Sequence, residues 1–125
     1  MRTRLAILLW ATDPAAPHLC VTPFFHAAAA AAMDVEVEVH FSSRSVLLLV
    51  GGAAEKLYGG VGRETSVYQH MRNACDFGAK FFACSDALDA HVVDRSKLIP
   101  ETQGIVGAAA FLGRVLDPDW STLIF

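Results

Sequence analysis

Leu5 to Ala11 reads L-A-I-L-L-W-A, seven residues without a polar side chain. The run is far shorter than the ~18–20 apolar residues needed to cross a bilayer. It suits a β-strand buried on both faces, and such strands occur in parallel sheets covered by helices on either side. Met1-Arg2-Thr3-Arg4 ahead of it has the look of a signal-peptide start, but Thr12-Asp13-Pro14 follows at once and no small-residue cleavage site is evident. The segment therefore reads as a first strand, and the expected location is cytoplasmic.

The rest of the chain alternates strand and helix signals. Thr12 to Pro17 is a loop with two prolines and an aspartate. Pro23 fits the first turn of a helix, and Phe24 to Met33, with six consecutive alanines, is strongly helical. Asp34 to Phe41 reads D-V-E-V-E-V-H-F, a period-2 pattern of β-branched residues with one polar face. That polar face places the strand near a sheet edge or against a partner subunit. Ser45 to Tyr58 reads as a helix broken at Gly51-Gly52, with a short strand over Val46 to Val50 as the alternative. Thr65 to Phe77 is a helix ended by Gly78. Ala79 to Cys84, A-K-F-F-A-C, is a second short apolar strand. Ser85-Asp86 caps a short helix around Ala87 to Ala90. Glu101 to Leu116 contains a further helix, Asp117-Pro118-Asp119 is a turn, and Thr122 to Phe125 closes the chain as a strand. Residues 1–125 thus form a single domain in which strands alternate with helices, the pattern of a mostly parallel sheet in a three-layer α/β/α arrangement.

Composition narrows the partners. Charged residues make up only 18% against 54% hydrophobic, where about 25% charged is usual. Apolar surface is left over after one copy folds, which predicts a homo-oligomer. Net charge is -3 and the ten basic residues are scattered. No basic stripe exists for nucleic acid, and no window is long enough for a membrane. Gly59-Gly60-Val61-Gly62 lacks the Lys-Ser/Thr ending of a phosphate loop and does not match the dinucleotide-binding pattern. No cofactor is expected.

Candidate chemistry gathers at the carboxyl ends of the strands, where open parallel sheets bind ligands. Asp13, His18 and Cys20 follow the first strand. His40 ends the second and Cys84 the third, with Ser85 beside it. Cys84 stands at a strand-to-helix junction, where backbone N–H groups and the helix dipole favour a thiolate. Its sulfur is the candidate nucleophile or persulfide carrier. Cys20, His18, His40, Asp13 and Ser85 are auxiliary or pocket candidates. Cys75 falls on a helix core face. The three cysteines form no C-x-x-C pair, so neither a zinc ribbon nor a thioredoxin motif is present. A metal held by His18, Cys20, His40 and Cys84 is a weaker reading that their spacing does not demand.

Three blocks resemble the DsrE/DsrF-like family of small sulfur-relay proteins. They are the first strand with Thr12-Asp13-Pro14 and Pro23-Phe24-Phe25; Met33 to Val37 running into His40-Phe41 and Ser45 to Leu48; and Gly78 to Cys84 with Gly104 to Ala110 and Leu123-Ile124-Phe125. The resemblance implies a sheet of about five strands and assembly as trimers or hexamers. It implies a sulfurtransferase or sulfur carrier with a persulfide on Cys84, taking sulfur from a donor protein and passing it to an acceptor. Ser85 to Val93 lacks the Arg-Gly pair that follows this cysteine in many sulfur-transferring members. The alternative is a non-catalytic oligomeric module holding a small ligand or nucleotide at the same rim.

Overall fold

The structure is a computed structural model that describes residues 3–60 and 64–125. Val61 and Gly62 of the glycine loop lie outside the described residues. Five strands form one sheet: β1 (Arg4–Leu9), β2 (Glu36–Phe41), β3 (Lys80–Cys84), β4 (Thr102–Val106) and β5 (Trp120–Ile124). Their order is β4-β3-β2-β1-β5, and every pairing is parallel. The helices are α1 (Thr22–Ala32), α2 (Val67–Asp76), α3 (Ser85–Ala90) and α4 (Ala108–Val115).

The connections explain where each helix lies. From β1 through β2 and β3 to β4 the chain steps in one direction across the sheet. Right-handed crossovers then place α1, α2 and α3 on one face. From β4 the chain reverses and crosses to β5 at the far edge, so α4 lies on the other face. The first face carries the larger core. Ile7 and Leu9 of β1, Val37, Val39 and Phe41 of β2, and Phe81 and Ala83 of β3 pack there beneath Phe24, Ala27, Met71 and Leu88. The Phe24 ring lies 6.0 Å from that of Phe41 and 5.8 Å from that of Phe81.

Among the described residues the second face has a single helix of eight residues, about 12 Å long. Five strands at about 4.8 Å span roughly 19 Å. One short helix therefore covers part of this face, and Phe111 of α4 packs there with Ala6, Leu8 and Trp120.

Three sequence expectations change. The D-V-E-V-E-V-H-F strand is neither an edge nor next to one; β2 is the middle strand of five. Its alternation arises because one side faces the apolar core and the other faces α4. Ser45 to Tyr58 holds no α-helix but two 3-10 segments, Ser43–Leu49 and Ala54–Lys56. Between them Gly52 adopts φ +89° and Val50 forms an antiparallel bridge with Leu98. Glu101 to Leu116 contains a strand as well as a helix. Thr102–Val106 is the edge strand β4, and Gly107 caps α4 behind it. Elsewhere the boundaries agree closely. Pro23 lies in the first turn of α1, Ser66 caps α2 by accepting from the Gln69 N–H at 3.1 Å, and Gly78 leaves α2 at φ +118°.

Candidate functional site

Parallel pairing fixes which side chains share a face. Leu8 aligns with His40, His40 with Phe82, and Cys84 with Val106. Side chains alternate along each strand, so Leu8, His40, Phe82, Cys84 and Val106 all stand on the α4 side. Cys84 is one strand over from His40 and two residues further along, a diagonal neighbour. It is also the N-cap residue of α3, at φ -75° and ψ 123°. Leu8, His40, Ser42, Cys84, Val106 and Phe111 line a cleft of about 190 Å³, bordered by Gly107 and Ala108 at the start of α4.

His40 is held by two ring contacts and a hydrogen bond. Its ring stacks on Phe82 at 5.4 Å and meets the edge of Phe111 at 5.5 Å. Its Nε2 lies 3.1 Å from Glu38 Oε1. Glu38 in turn accepts two hydrogen bonds from Arg114 of α4, Nε to Oε1 at 3.0 Å and Nη2 to Oε2 at 2.9 Å. The Arg114 guanidinium lies over the Trp120 ring, 4.1 Å from its centroid. Glu38 is 6% exposed and His40 5%. The chain Trp120–Arg114–Glu38–His40 therefore links β5, α4 and β2 and ends at the cleft that holds Cys84. His40 also lines a second hollow, together with Glu38, Phe82 and Arg114.

Burial raises the Glu38 carboxyl, but the hydrogen bonds and charges of Arg114 and His40 outweigh it and hold the group below its ordinary range. Burial pushes the His40 imidazole down, against the opposing pull of Glu38. At neutral pH the pair is thus a carboxylate and a neutral imidazole. An ionised carboxylate only accepts, so Nε2 carries the imidazole proton and Nδ1 keeps its lone pair.

The other sequence candidates lie elsewhere. Cys20 is fully buried in the first-face core. Its thiol donates to the carbonyls of Asp13 at 3.2 Å and Ala16 at 3.6 Å, and burial pushes it up to about 11. Asp13 pairs with Arg44 at 2.7 Å, which lowers its carboxyl. His18 lines a separate groove with Phe25, Glu64 and His70. Ser85 opens α3 and is not among the residues lining the cleft. So the cleft unites Cys84 and His40 and leaves out Cys20, His18 and Asp13. Among the described residues no three His, Cys, Asp or Glu side chains are grouped to hold a metal ion. The four-ligand reading of His18, Cys20, His40 and Cys84 is accordingly set aside.

The sequence reading passed over Glu38 and Arg114. Glu38 carried a usable signal, a glutamate and a histidine two apart on a strand that an all-parallel sheet buries on both sides. Arg114 carried none, since its partner is 76 residues away.

No protein-family model matches the chain, and no curated protein sequence matches it. Solved structures do. The ychN protein from E. coli superposes with a TM-score of 0.76 at 14% identity, covering 100% of both chains. A protein of unknown function from Bacteroides thetaiotaomicron, BT1422, gives 0.69 at 16% identity over 98% of this chain and 95% of its own. Another from Methanobacterium thermoautotrophicum, MTH1491, gives 0.67 at 19% identity over 98% of each chain. What these proteins share with the chain is the fold. The α/β sheet with helices on both sides is thereby matched along essentially its whole length.

Proposed function

We propose that this chain is a sulfur-trafficking protein of the DsrE/DsrF-like kind, with Cys84 as the sulfur-carrying thiol. The observation that carries the reading is the cleft itself: Cys84 stands at the carboxyl edge of a parallel sheet and lines, together with His40, a space of about 190 Å³. Pockets for drug-sized ligands or nucleotides run to roughly 300–1,000 Å³. A cleft of this size suits a sulfur atom on a cysteine and the tip of an incoming group. The reaction conserves electrons. Cys84–SH and a donor persulfide R–S–SH give Cys84–S–SH and R–SH: one S–S bond breaks, another forms, and the proton leaves on the donor sulfur. No cofactor is needed, and a reducing, cytoplasmic compartment keeps the thiol available. The working form is a homo-oligomer, trimer or hexamer, that meets separate donor and acceptor proteins.

Mass spectrometry after treatment with polysulfide tests this. The Cys84 peptide should gain about 32 Da, one sulfur atom, and Cys84→Ser should show no gain there. No addition on the wild type, or as much sulfur on Cys84→Ser as on the wild type, overturns the reading. A small molecule that raises the melting temperature equally in wild type and Cys84→Ser would favour the binding-module alternative.

A further inference from the structure

We infer that His40 takes the proton of Cys84, and that Glu38 and Arg114 are positioning residues that set the histidine for this task; the inference rests on the reading of Cys84 as a working thiol. The groups around His40 come from four elements. Leu8 of β1 and Phe82 of β3 are apolar, Phe111 of α4 meets its edge, and the charged or titratable neighbours are Glu38, Arg114 and Cys84. The carboxylate fixes which nitrogen bears the proton, and the ring contacts fix its plane. Among the described residues no hydrogen bond occupies Nδ1, and the ring forms a wall of the Cys84 cleft.

Packing alone does not explain these side chains. On the same strand, Val37, Val39 and Phe41 fill the first-face core with aliphatic and aromatic groups. On the other side, also buried, stand a carboxylate and an imidazole. A buried ion pair is often no better for stability than well-packed apolar residues of the same size. The polar residues lead instead to one place, the cleft. A carboxylate holding a histidine that serves a nucleophile is a known way to activate a thiol or hydroxyl. Here the Cys84 S–H bond breaks and a proton moves to Nδ1, giving a thiolate and an imidazolium whose charge faces Glu38. When the thiolate takes the outer sulfur of a donor persulfide, the departing R–S⁻ receives that proton, and His40 returns to neutral.

Alkylation by iodoacetamide reads this step without any sulfur chemistry. The rate at Cys84, followed by peptide mass spectrometry across the neutral pH range, reports its thiolate. His40→Asn should slow it at neutral pH by about tenfold or more. Glu38→Gln should act in the same direction, less strongly. Identical profiles for wild type and a folded His40→Asn overturn the inference. Should that variant not fold, Cys84→Ser serves: removing the thiol should alter the NMR titration of the His40 ring, and an unchanged titration counts against the coupling. The two proposals separate cleanly. His40-dependent alkylation with no sulfur loading retains the dyad and discards the sulfur function. Sulfur loading with His40-independent alkylation does the reverse.

Discussion

Three thiols in this chain meet three environments. Cys20 lies wholly inside the core, donating to two backbone carbonyls, and burial holds it protonated up to about 11. Cys75 on α2 is pushed up to about 12, first by burial and then by the charges of Glu101 and Asp76. Cys84 lines an open cleft beside a histidine. The thiolate is the reactive form, so limited iodoacetamide at neutral pH should label Cys84 well ahead of the other two. Peptide mapping of native protein checks this, and preferential labelling of Cys20 or Cys75 would contradict the environments described. Gly59 is constrained at the same scale. A Cβ there would come within 2.4 Å of Val21 Cγ2 and 2.7 Å of the Pro17 carbonyl oxygen, so the backbone approach between these loops requires glycine.

The decisive element is α4, because among the described residues it supplies the cover on the second face near β2 and brings Arg114 to Glu38. Arg114→Met should destabilise the fold by about 1–3 kcal/mol, the usual penalty for leaving a buried hydrogen-bonded partner unmatched; the exposure of the arginine keeps it below the range for fully buried pairs. Chemical denaturation measures it. Acid sensitivity belongs to the same element. His40, held low by burial, binds its proton more readily in the unfolded chain, so acidification below about pH 6.5 favours unfolding. Glu38, also held low, contributes stability that is present above the unfolded carboxylate value near 4.3 and is lost as pH falls through its lower folded value. The two effects have the same sign. The melting temperature should therefore fall steadily from neutral to acid pH, and calorimetry on His40→Asn should show a flatter slope in the upper part of that range.

For the whole molecule, the imbalance between the two faces sets the expectation. Leu112 and Leu116 at α4 and Ile124 at the end of β5 are 54%, 76% and 59% exposed. They lie on the side that one short helix leaves partly bare. Size-exclusion chromatography with light scattering should give a mass of several times 13.4 kDa; a monomer across a wide concentration range would contradict the proposed assembly. No helix among the described residues is long and apolar enough to cross a membrane.

The sequence by itself determined the class of fold and the rim where the candidate residues gather. Apolar runs at Leu5–Ala11 and Ala79–Cys84, separated by helical segments, leave little but a parallel sheet, and in such a sheet His40 and Cys84 belong at the carboxyl rim. Local patterns carry that information because strand and helix periods are written in consecutive residues. The short strand Thr102–Val106 was hidden because T-Q-G-I-V at an edge has no strong alternation and runs straight into a helix. The tertiary structure alone decided the rest. It put β2 in the middle of the sheet, sent α4 to the opposite face through the reversed crossover, and so joined Glu38 to an arginine 76 residues away. It also took Cys20 out of the rim and into the core. Which residues of a rim face one another depends on strand order and crossover direction, and neither is encoded in any single segment.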